Sequence, residues 1–429
     1  MNTPSMLLEC ACEQARSIAT GTIDAGDFLR SQLATIDALN PDINAFVTVA
    51  RPRPRQPADA ARSPLANVGF AVKDNIDVSG LPSHSGLRAL HAQPAARHAS
   101  VVARLEAAGL LCLGKLNMHA VALGATNHNV DFGDCRNPRR LTHTPGGSSG
   151  GSGAAVAAGL CGVALGTDTM GSVRLPAAYC GVVGFKPSFE AIAVDGVMPL
   201  CRALDHVGLL ARCVEDVVES FRIVADLPLA AASGTGFEFA VPASLDELGL
   251  QPEVRSAFLL ALDRLRNEGF RLHPLELAAY PFSRVRRAGL LLSEAELLNT
   301  LAVPLAGSRE EMPADLLAML DYAASRSAAD LARALSMAVG AGQWIHRALL
   351  PFDGLLMPTA SHTAFAMDGP IPPEQADFTA MANMSGGPAI SLPLPVPAGS
   401  LPIGLQLMGR RGDDWRVLDA AKALEAALH

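Results

Sequence analysis

The sequence predicts a protein of the α/β class. From Val68 onward, short apolar strands alternate with helices: residues 68–72 form a first strand, residues 100–108 a helix and residues 110–113 a second strand. Of the 429 residues, 49% are hydrophobic and 18% charged, which provides enough apolar material for a large core. The length favours one domain over residues 1–429, with two domains as the minority interpretation.

Two further regions are predicted to be helical. Residues 5–20 have the apolar spacing of a helix, and Asp24 or Asp27 is placed to cap a second helix that ends near Asn40. We therefore expect residues 1–50 to pack on the domain as N-terminal helices. Residues 280–350 are also predicted to be largely helical, and we expect them to form a substrate-facing cover.

Charge and composition exclude several function classes. The formal net charge is −8 and no run of basic residues is present, so the sequence lacks the positive charge that nucleic-acid binding requires. The first apolar stretch contains Glu9 and Glu13, unlike a signal peptide. The apolar run at residues 154–166 is too short and too rich in glycine to span a bilayer. These observations predict a soluble cytoplasmic protein with small neutral substrates and no membrane partner.

No metal or cofactor site is predicted. No histidine pair accompanies a glutamate in an H-E-x-x-H pattern. The cysteines lack the paired spacing of zinc sites and the density of a disulfide scaffold, so reduced core thiols are favoured over a cysteine nucleophile. They are Cys10, Cys12, Cys112, Cys135, Cys161, Cys180, Cys201 and Cys213.

Two glycine-rich loops that contain serines are the strongest functional signal. One covers residues 144–153 and the other residues 166–174. Such loops expose backbone N–H groups beside a hydroxyl, as a serine hydrolase requires for its nucleophile and its oxyanion. One glycine loop alone is typical of close backbone packing. Two such loops, together with a lysine on an upstream strand, indicate an amide-bond hydrolase.

The general base has two candidate types. Lys73 ends an apolar strand, where burial would depress its pKa and let the neutral amine accept a proton, although most lysines at such positions lie on the surface. Residues 146–150 also fit a G-x-S-x-G elbow with Ser148 as nucleophile and a histidine base. The segment before this elbow is a poor strand because it contains Pro145. The histidine candidates are His206, His273, His346 and His362.

A third glycine motif resembles a phosphate-binding loop. Residues 109–116 have its glycine and lysine spacing, but Leu116 occupies the position of the magnesium-binding hydroxyl. The central residues are apolar. This segment is therefore predicted to be a buried strand.

Taken together, these motifs resemble the amidase signature family. The resemblance begins at Lys73 and continues through both serine loops to residues 181–187, and it covers most of the chain. It continues through residues 204–208, 356–359, 382–389 and 401–407. It implies the amidase signature fold, in which a large mixed β-sheet is flanked by helices on both faces (α/β/α). It also implies hydrolysis of a small carboxylic amide to a carboxylate and ammonia or an amine, without a cofactor, and it is compatible with a homodimer.

The resemblance also implies roles for individual residues. Ser172 corresponds to the acylated nucleophile, Ser148 to a bridging serine with a cis peptide bond, and Lys73 to the base. The spacing of the three residues favours Ser148 over Ser149. The oxyanion hole is expected to consist of the backbone N–H groups of Thr169, Met170, Gly171 and Ser172.

Other residues near the loops receive weaker predictions. Asp168 and Arg174 are expected to fix the nucleophile loop by hydrogen bonds to backbone. Asn127 and Ser149 are expected to contact substrate; Asn127 lies in a run with His128 and Asn129 that equally fits a surface turn.

Met170 also has a predicted substrate contact. It occupies a position where many family members have glycine, so its side chain is expected either to narrow the acyl pocket or to make its wall more apolar, and thereby to favour apolar acyl groups.

Three alternatives stay open at this stage. One is the glutaminase subunit of a tRNA-dependent amidotransferase, although the aromatic and acidic glutamine-site pattern is not evident and the chain is short for it. Another is a hydrolase of urea derivatives such as allophanate or biuret, in which Arg202 or Arg286 would anchor a carboxylate. A non-catalytic binding protein fits poorly, because all three triad positions are filled.

Overall fold

A computed structural model of the chain describes residues 3–54, 63–90, 92–228, 236–303 and 309–429. Within them the strands are β1 (Phe46–Val49), β2 (Gly69–Lys73), β3 (Leu111–Leu116), β4 (Val163–Asp168), β5 (Val183–Lys186), β6 (His206–Ala211), β7 (Glu238–Pro242), β8 (Arg271–Leu275), β9 (Gly354–Pro358), β10 (Ala389–Pro393) and β11 (Gly404–Met408). They form one mixed sheet of 11 strands in the order β1-β3-β2-β4-β6-β5-β10-β11-β9-β7-β8.

The α-helices of the described residues lie between these strands and at the two ends of the chain. They are α1 (Ala11–Ala19), α2 (Ala25–Ile43), α3 (Ser100–Ala107), α4 (Gly150–Ala157), α5 (Arg174–Cys180), α6 (Val214–Val224), α7 (Pro252–Asn267), α8 (Phe282–Ala302), α9 (Ala314–Ala324), α10 (Ala328–Ala348), α11 (Ala380–Ser385) and α12 (Asp414–Leu428). Among them, none is both long enough and apolar enough to cross a membrane.

Helices cover both faces of the sheet. Successive residues of a strand point to opposite faces, and Phe70 and Val72 of β2 belong to one buried apolar cluster whereas Ala71 belongs to a second. Helices α1, α3, α6, α7 and α12 contribute to the first cluster, and α2, α4 and α5 to the second. The predicted α/β/α architecture is therefore confirmed.

The N-terminal region contains the two expected helices and one strand that was not expected. The first turn of α1 is hydrogen-bonded to α6: the backbone N–H groups of Ala11 and Cys12 donate to the Asp216 carboxylate at 2.7 and 2.9 Å. The prediction that residues 1–50 are helical is wrong at its end. Residues 46–49 read Phe-Val-Thr-Val, a sequence rich in β-branched residues, and they pair with β3 as the edge strand β1.

Residues 280–350 are largely helical, as predicted, and contain α8, α9 and α10. One side of α8 packs with α9 into a third apolar cluster, which also includes Leu87, Met118 and Leu200 from the loops beside the sheet. The predicted role of this region as a cover over substrate stays a prediction.

The segment that resembles a phosphate-binding loop is strand β3, buried along its whole length. Its Lys115 lies 3.3 Å from the Asp74 carboxylate and donates to the Ser83 hydroxyl at 2.7 Å. The prediction of a buried strand is confirmed.

Candidate active site

The parallel pairing of β2 with β4 brings two of the predicted segments together. Phe70 pairs with Val163 and Val72 with Leu165, so the carboxyl ends of both strands lie at the same edge of the sheet. Strand β2 delivers Lys73 to this edge, and β4 leads into the loop that contains Ser172. Carboxyl ends of neighbouring parallel strands are a common location for active sites.

Lys73 is fully buried and contacts the first serine loop. Its Nζ lies 2.7 Å from the Ser148 hydroxyl and 2.8 Å from the Thr167 hydroxyl. Burial lowers the pKa of Lys73 to about 7, and this effect outweighs the opposing charges of Asp168 and Asp205. The surface interpretation of Lys73 is therefore wrong, and the side chain is placed to exchange a proton with Ser148.

The Ser148 loop is fixed by its backbone. The Gly147–Ser148 peptide bond is cis, as the family resemblance implied. The Ser148 carbonyl accepts a hydrogen bond from the His119 N–H at 3.1 Å, and helix α4 begins two residues later. The side chain of Ser148 is buried.

The second serine loop lies against the first. The backbone N–H of Ser149 donates to the Ser172 carbonyl at 3.2 Å, and the Ser172 residue keeps partial exposure. Gly171 has a φ of 132°, and a Cβ there would lie 2.1 Å from the Thr379 hydroxyl. A glycine is thus required beside Ser172 for both conformation and space.

The hydroxyl of Ser149 is used within the fold. It donates to the Thr167 carbonyl at 3.1 Å and accepts from the Thr167 N–H at 3.3 Å. The residue is fully buried. This arrangement gives Ser149 a role in holding the two loops together and offers no hydroxyl for the predicted contact with substrate.

The four predicted oxyanion donors differ in availability. The Gly171 N–H donates to the Asp168 carboxylate at 2.7 Å and is therefore occupied. Within the described part of the chain, the N–H groups of Thr169, Met170 and Ser172 have no acceptor. Three of the four N–H groups thus have no hydrogen-bond acceptor in the described structure, and their predicted role in binding an oxyanion stays a prediction.

Asp168 and Arg174 fix the nucleophile loop (residues 168–174, with the predicted nucleophile Ser172), as predicted. The Asp168 carboxylate accepts from the N–H groups of Gly171 and Val173 at 2.7 and 3.1 Å. The Arg174 guanidinium binds both oxygens of this carboxylate, at 3.0 and 2.8 Å. Burial alone would raise the pKa of Asp168, but the paired guanidinium holds it well below its usual range.

Arg174 also connects the nucleophile loop to the C-terminal part of the sheet. Both residues of the ion pair are fully buried. The remaining guanidinium donors reach the Thr379 carbonyl, the Gln406 amide oxygen and the Asn383 amide oxygen, each at 2.7 Å. Every donor of the buried cation therefore has an acceptor.

Thr169 is held by a second buried carboxylate. Its hydroxyl donates to Asp205 at 2.6 Å, and the other Asp205 oxygen accepts from the N–H groups of Leu200 and Cys201 at 2.9 Å. Burial raises the pKa of Asp205 to about 6. The nucleophile loop is thus fixed at Thr169 as well as at Gly171 and Val173.

The Met170 side chain extends toward helix α8. A Cβ added at Gly289 would lie 2.6 Å from the Met170 sulfur and 2.6 Å from the Met384 methyl group. The Met170 carbonyl accepts from the Thr379 hydroxyl at 2.6 Å. Glycine in the middle of α8 thus makes room for Met170, and this contact brings the helical region 280–350 next to the nucleophile loop.

The run at residues 127–129 is mainly structural. Asn127 is fully buried, and its amide oxygen accepts from the Gly150 N–H at the start of α4 at 3.0 Å. Its Nδ2 has no hydrogen-bond partner within the described residues. His128 lies 2.7 Å from Asp134, and Asn129 binds the carbonyls of Gly86 and Met118.

None of the four histidine candidates is hydrogen-bonded to Ser148 or Ser172 within the described residues, although His206 contacts the Asp168 carbonyl at 3.2 Å. His206 is hydrogen-bonded through Nδ1 to the Leu204 carbonyl at 2.7 Å, and His362 contacts the Tyr179 hydroxyl at 3.2 Å. His273 lies beside Glu238, and His346 is exposed on α10. No strand of the described structure directly precedes Gly146. The elbow interpretation of Ser148 is therefore wrong.

Several residues of the site carried no individual signal in the sequence. Thr167, Thr379, Asn383 and Gln406 contact Lys73, the nucleophile loop or Arg174. Three of these come from positions more than 200 residues beyond Arg174 in the chain. Thr167, Asn383 and Gln406 lie inside segments that carry the family resemblance, but none of them was assigned a role from the sequence, and Thr379 lies outside those segments.

Comparison with known proteins defines the class of enzyme. The family model described as Amidase matches residues 27–418. The chain therefore belongs to the amidase family, and it is a hydrolase of amide C–N bonds with the amidase signature fold.

Particular relatives span nearly the whole chain. The sequence is 32% identical to a glutamyl-tRNA(Gln) amidotransferase subunit of Acidobacterium capsulatum, over 96% of this chain and 97% of that protein. A crystal structure of an amidase superposes with a TM-score of 0.88 at 29% identity, over 98% of this chain and all of that one. A 6-aminohexanoate cyclic dimer hydrolase superposes with a TM-score of 0.86 at 26% identity, over 98% and 97% of the two chains.

The Arg174 network generates a prediction about stability. We expect Arg174→Met to lower the free energy of unfolding by about 3–5 kcal/mol, because it leaves the Asp168 charge buried and unpaired. Denaturant unfolding measures this change. Arg255→Met, which breaks an exposed ion pair with Asp246, is the matched control and should change stability by less than about 1 kcal/mol. Equal effects of the two substitutions would contradict the prediction.

Proposed function

We propose that the protein hydrolyses a small-molecule carboxylic amide through an acyl-enzyme, with Ser172 as nucleophile, Ser148 as proton relay and Lys73 as base. The observation that carries this proposal is the 2.7 Å contact between the fully buried Lys73 amine and the Ser148 hydroxyl. The Ser149–Ser172 backbone hydrogen bond supports it, because it holds the two serine loops side by side.

The first half-reaction forms the acyl-enzyme. Neutral Lys73 accepts the Ser148 proton while Ser148 accepts the proton of Ser172, whose oxygen attacks the amide carbon. The carbonyl oxygen becomes an oxyanion and is bound by the free N–H groups of Thr169, Met170 and Ser172. Each well-placed donor of this kind contributes about 3–4 kcal/mol in related chemistry.

Collapse of the tetrahedral intermediate breaks the C–N bond. Protonated Lys73 returns a proton through Ser148 to the leaving nitrogen, which departs as ammonia or an amine. A water molecule then loses its proton to the same relay and attacks the acyl carbon, and Ser172 leaves with a proton. The product is a carboxylate.

A second candidate function follows from the named relatives. Two glutamyl-tRNA(Gln) amidotransferase subunits, from Acidobacterium capsulatum and Anaeromyxobacter dehalogenans, are 32% and 34% identical to this chain over nearly their whole length. That similarity makes hydrolysis of the glutamine side-chain amide the second candidate activity, and glutamine is therefore included among the test substrates.

The urea-derivative candidate has less support from the structure. Arg202 and Arg286 are both paired with carboxylates, Glu296 and Asp377, at 2.5 Å. A substrate carboxylate at either arginine would therefore have to share the guanidinium with a carboxylate of the protein.

Ammonia release from a panel of aliphatic, aromatic and carboxylated amides, with glutamine included, tests the proposal. We expect Ser172→Ala to reduce kcat/KM by at least about 10³-fold on every substrate that the wild type hydrolyses, because no other nucleophile completes the acyl transfer. A fluorophosphonate probe should label Ser172 in the wild type. Activity that survives Ser172→Ala but disappears in Ser148→Ala would instead make Ser148 the nucleophile.

The low pKa of Lys73 predicts the pH dependence of the reaction. Only the neutral amine accepts a proton, so kcat/KM should rise about tenfold per pH unit below pH 7 and level off above it. Lys73→Arg should abolish turnover, because a guanidinium stays protonated. Lys422→Arg, at a partly exposed position, is the control and should keep the wild-type profile. A flat profile between pH 5 and 9 would exclude Lys73 as the base.

The position of the apolar Met170 side chain against Gly289 of α8 predicts a preference for apolar acyl groups. Replacing Met170 with glycine removes an apolar wall beside the nucleophile loop. We expect Met170→Gly to reduce the ratio of kcat/KM for hexanamide over acetamide by roughly tenfold. Met170→Leu retains the apolar volume and should keep most of the ratio. An unchanged ratio in Met170→Gly would show that Met170 does not contact the acyl group.

A further inference from the structure

Two of the eight cysteines are not explained by core packing. Six are buried, as free cysteines usually are, whereas Cys10 and Cys213 are partly exposed. These two residues are more than 200 positions apart in the chain, yet their sulfur atoms lie within 4.8 Å of each other and of a carboxylate oxygen of Asp216. The fold therefore brings two thiols and one carboxyl group together at one partly exposed place. Spacing in the sequence could not reveal this cluster.

Helix capping does not explain the two cysteines either. Cys10 is the N-cap residue of α1 and Cys213 that of α6, and neither side chain caps its helix. Carboxylates of other helices accept the first N–H groups instead, from Asp216 at α1 and from Glu425 at α6. Serine, threonine, asparagine or aspartate is usual at an N-cap, because its side-chain oxygen accepts these N–H groups. The two sulfur atoms thus serve neither the core nor the helix caps.

We propose that Cys10, Cys213 and Asp216 form a binding site for Zn²⁺ that joins α1 to α6. Thiolate sulfur is a preferred ligand of Zn²⁺, and carboxylate oxygen is another of its ordinary ligands. Each Asp216 oxygen accepts one backbone N–H, which leaves lone-pair positions on the carboxylate for the ion. Water would complete the tetrahedral set, because both cysteines are partly exposed.

The charges around the site match a divalent cation. Two thiolates and one carboxylate exceed the charge of Zn²⁺ by one negative unit. Arg212 directly precedes Cys213, and its Nε donates at 2.7 Å to the carbonyl of Glu9, the residue before Cys10. The guanidinium therefore lies beside both cysteines, and its Nη2 is buried without a hydrogen-bond partner among the described residues. This positive charge offsets the excess negative charge of the ligand set.

A disulfide between the same cysteines is the chief alternative, and Asp216 argues against it. Thiol–disulfide exchange proceeds through a thiolate, and a carboxylate close to both sulfur atoms opposes the loss of their protons. A bound cation reverses this effect, because it stabilises the thiolates and the carboxylate together. The carboxylate therefore favours a metal ion over a disulfide.

The site lies at the opposite edge of the sheet from the nucleophile loop. Strands β4 and β6 pair along six residues, with Val163 opposite Ala211 at one end and Asp168 opposite His206 at the other. The nucleophile loop begins at Asp168, whereas Cys213 follows Ala211 by two residues. Six strand residues span about 17 Å, so the ion does not reach the reacting atoms. Its role is to hold the N-terminal helices on the domain.

Titration of the reduced full-length protein with Zn²⁺ and with Co²⁺ tests the inference. Calorimetry should show one strongly bound Zn²⁺ per chain, and the Co²⁺ complex should show sulfur-to-metal charge transfer and the intense visible bands of tetrahedral coordination. We expect Cys10→Ser and Cys213→Ser each to weaken Zn²⁺ binding by about a hundredfold or more, because each removes one of the two thiolates. Cys112→Ala, which removes a buried thiol of β3, should keep the wild-type affinity.

Alkylation and thermal unfolding give independent readouts. Zn²⁺ should slow the alkylation of Cys10 and Cys213, which peptide mass mapping locates. Saturating Zn²⁺ should raise the unfolding midpoint of the wild type but not that of Cys10→Ser, because only the folded wild type holds the ion. Without Zn²⁺ the two proteins should unfold at similar temperatures, since Cys10 is partly exposed, and this result separates lost binding from lost folding.

Three results would overturn the inference. The first is no Zn²⁺ binding by the reduced wild type at micromolar concentration, and a Cys10–Cys213 disulfide in protein purified without reductant would then assign the pair to redox chemistry. The second is wild-type affinity in both serine variants. The third is an equal loss of affinity in Cys112→Ala, which would show that the bound Zn²⁺ is held by other thiols.

Discussion

The burial of one lysine amine beside a serine is the constraint on which the site depends. Strand β2 is buried at every residue and ends at Lys73, so the amine is desolvated by the fold itself. Arginine cannot replace it, because a guanidinium stays charged even when buried. Of the 34 lysines and arginines, only four are lysines, and three of these, Lys73, Lys115 and Lys186, are fully buried. The chain thus uses arginine for nearly all exposed positive charge.

The buried ion pair beside this lysine serves a different purpose. Asp168 opposes the low pKa of Lys73, but its negative charge is offset by the bidentate contact with Arg174. Desolvation therefore determines the direction of the Lys73 pKa shift. The Asp168 carboxylate stays ionised and holds the nucleophile loop through its hydrogen bonds. The same guanidinium binds residues of α11, β11 and the segment before α11, so the loop geometry depends on the C-terminal half of the sheet. Distant parts of the chain are thereby coupled to the nucleophile.

Much of the fold and part of the site were predictable from the sequence, for identifiable physical reasons. Local patterns revealed the strands around Lys73 and Leu111, the helices of residues 280–350 and the two serine loops. Edge strand β1 was missed because it has only four residues, and a run of β-branched residues that short is a weak sequence signal for a strand when it follows two helices. Other features of the site depend on tertiary contacts, which the apolar periodicity of the sequence does not reveal. They are the hydrogen bond that occupies the Gly171 N–H, the hydrogen bonds of the Ser149 hydroxyl and the partners of Arg174.

Burial in the fold lowers the pKa of Lys73 to about 7, so that a large share of the amine is neutral near pH 7. NMR of enzyme labelled with ¹³C at the lysine ε-carbons tests this most directly. Four lysines give four signals, and loss of one signal in Lys73→Arg assigns Lys73. The predicted result is a Lys73 signal that titrates near pH 7. A Lys73 signal that titrates above pH 9 in the folded enzyme would contradict the claim and would require another base.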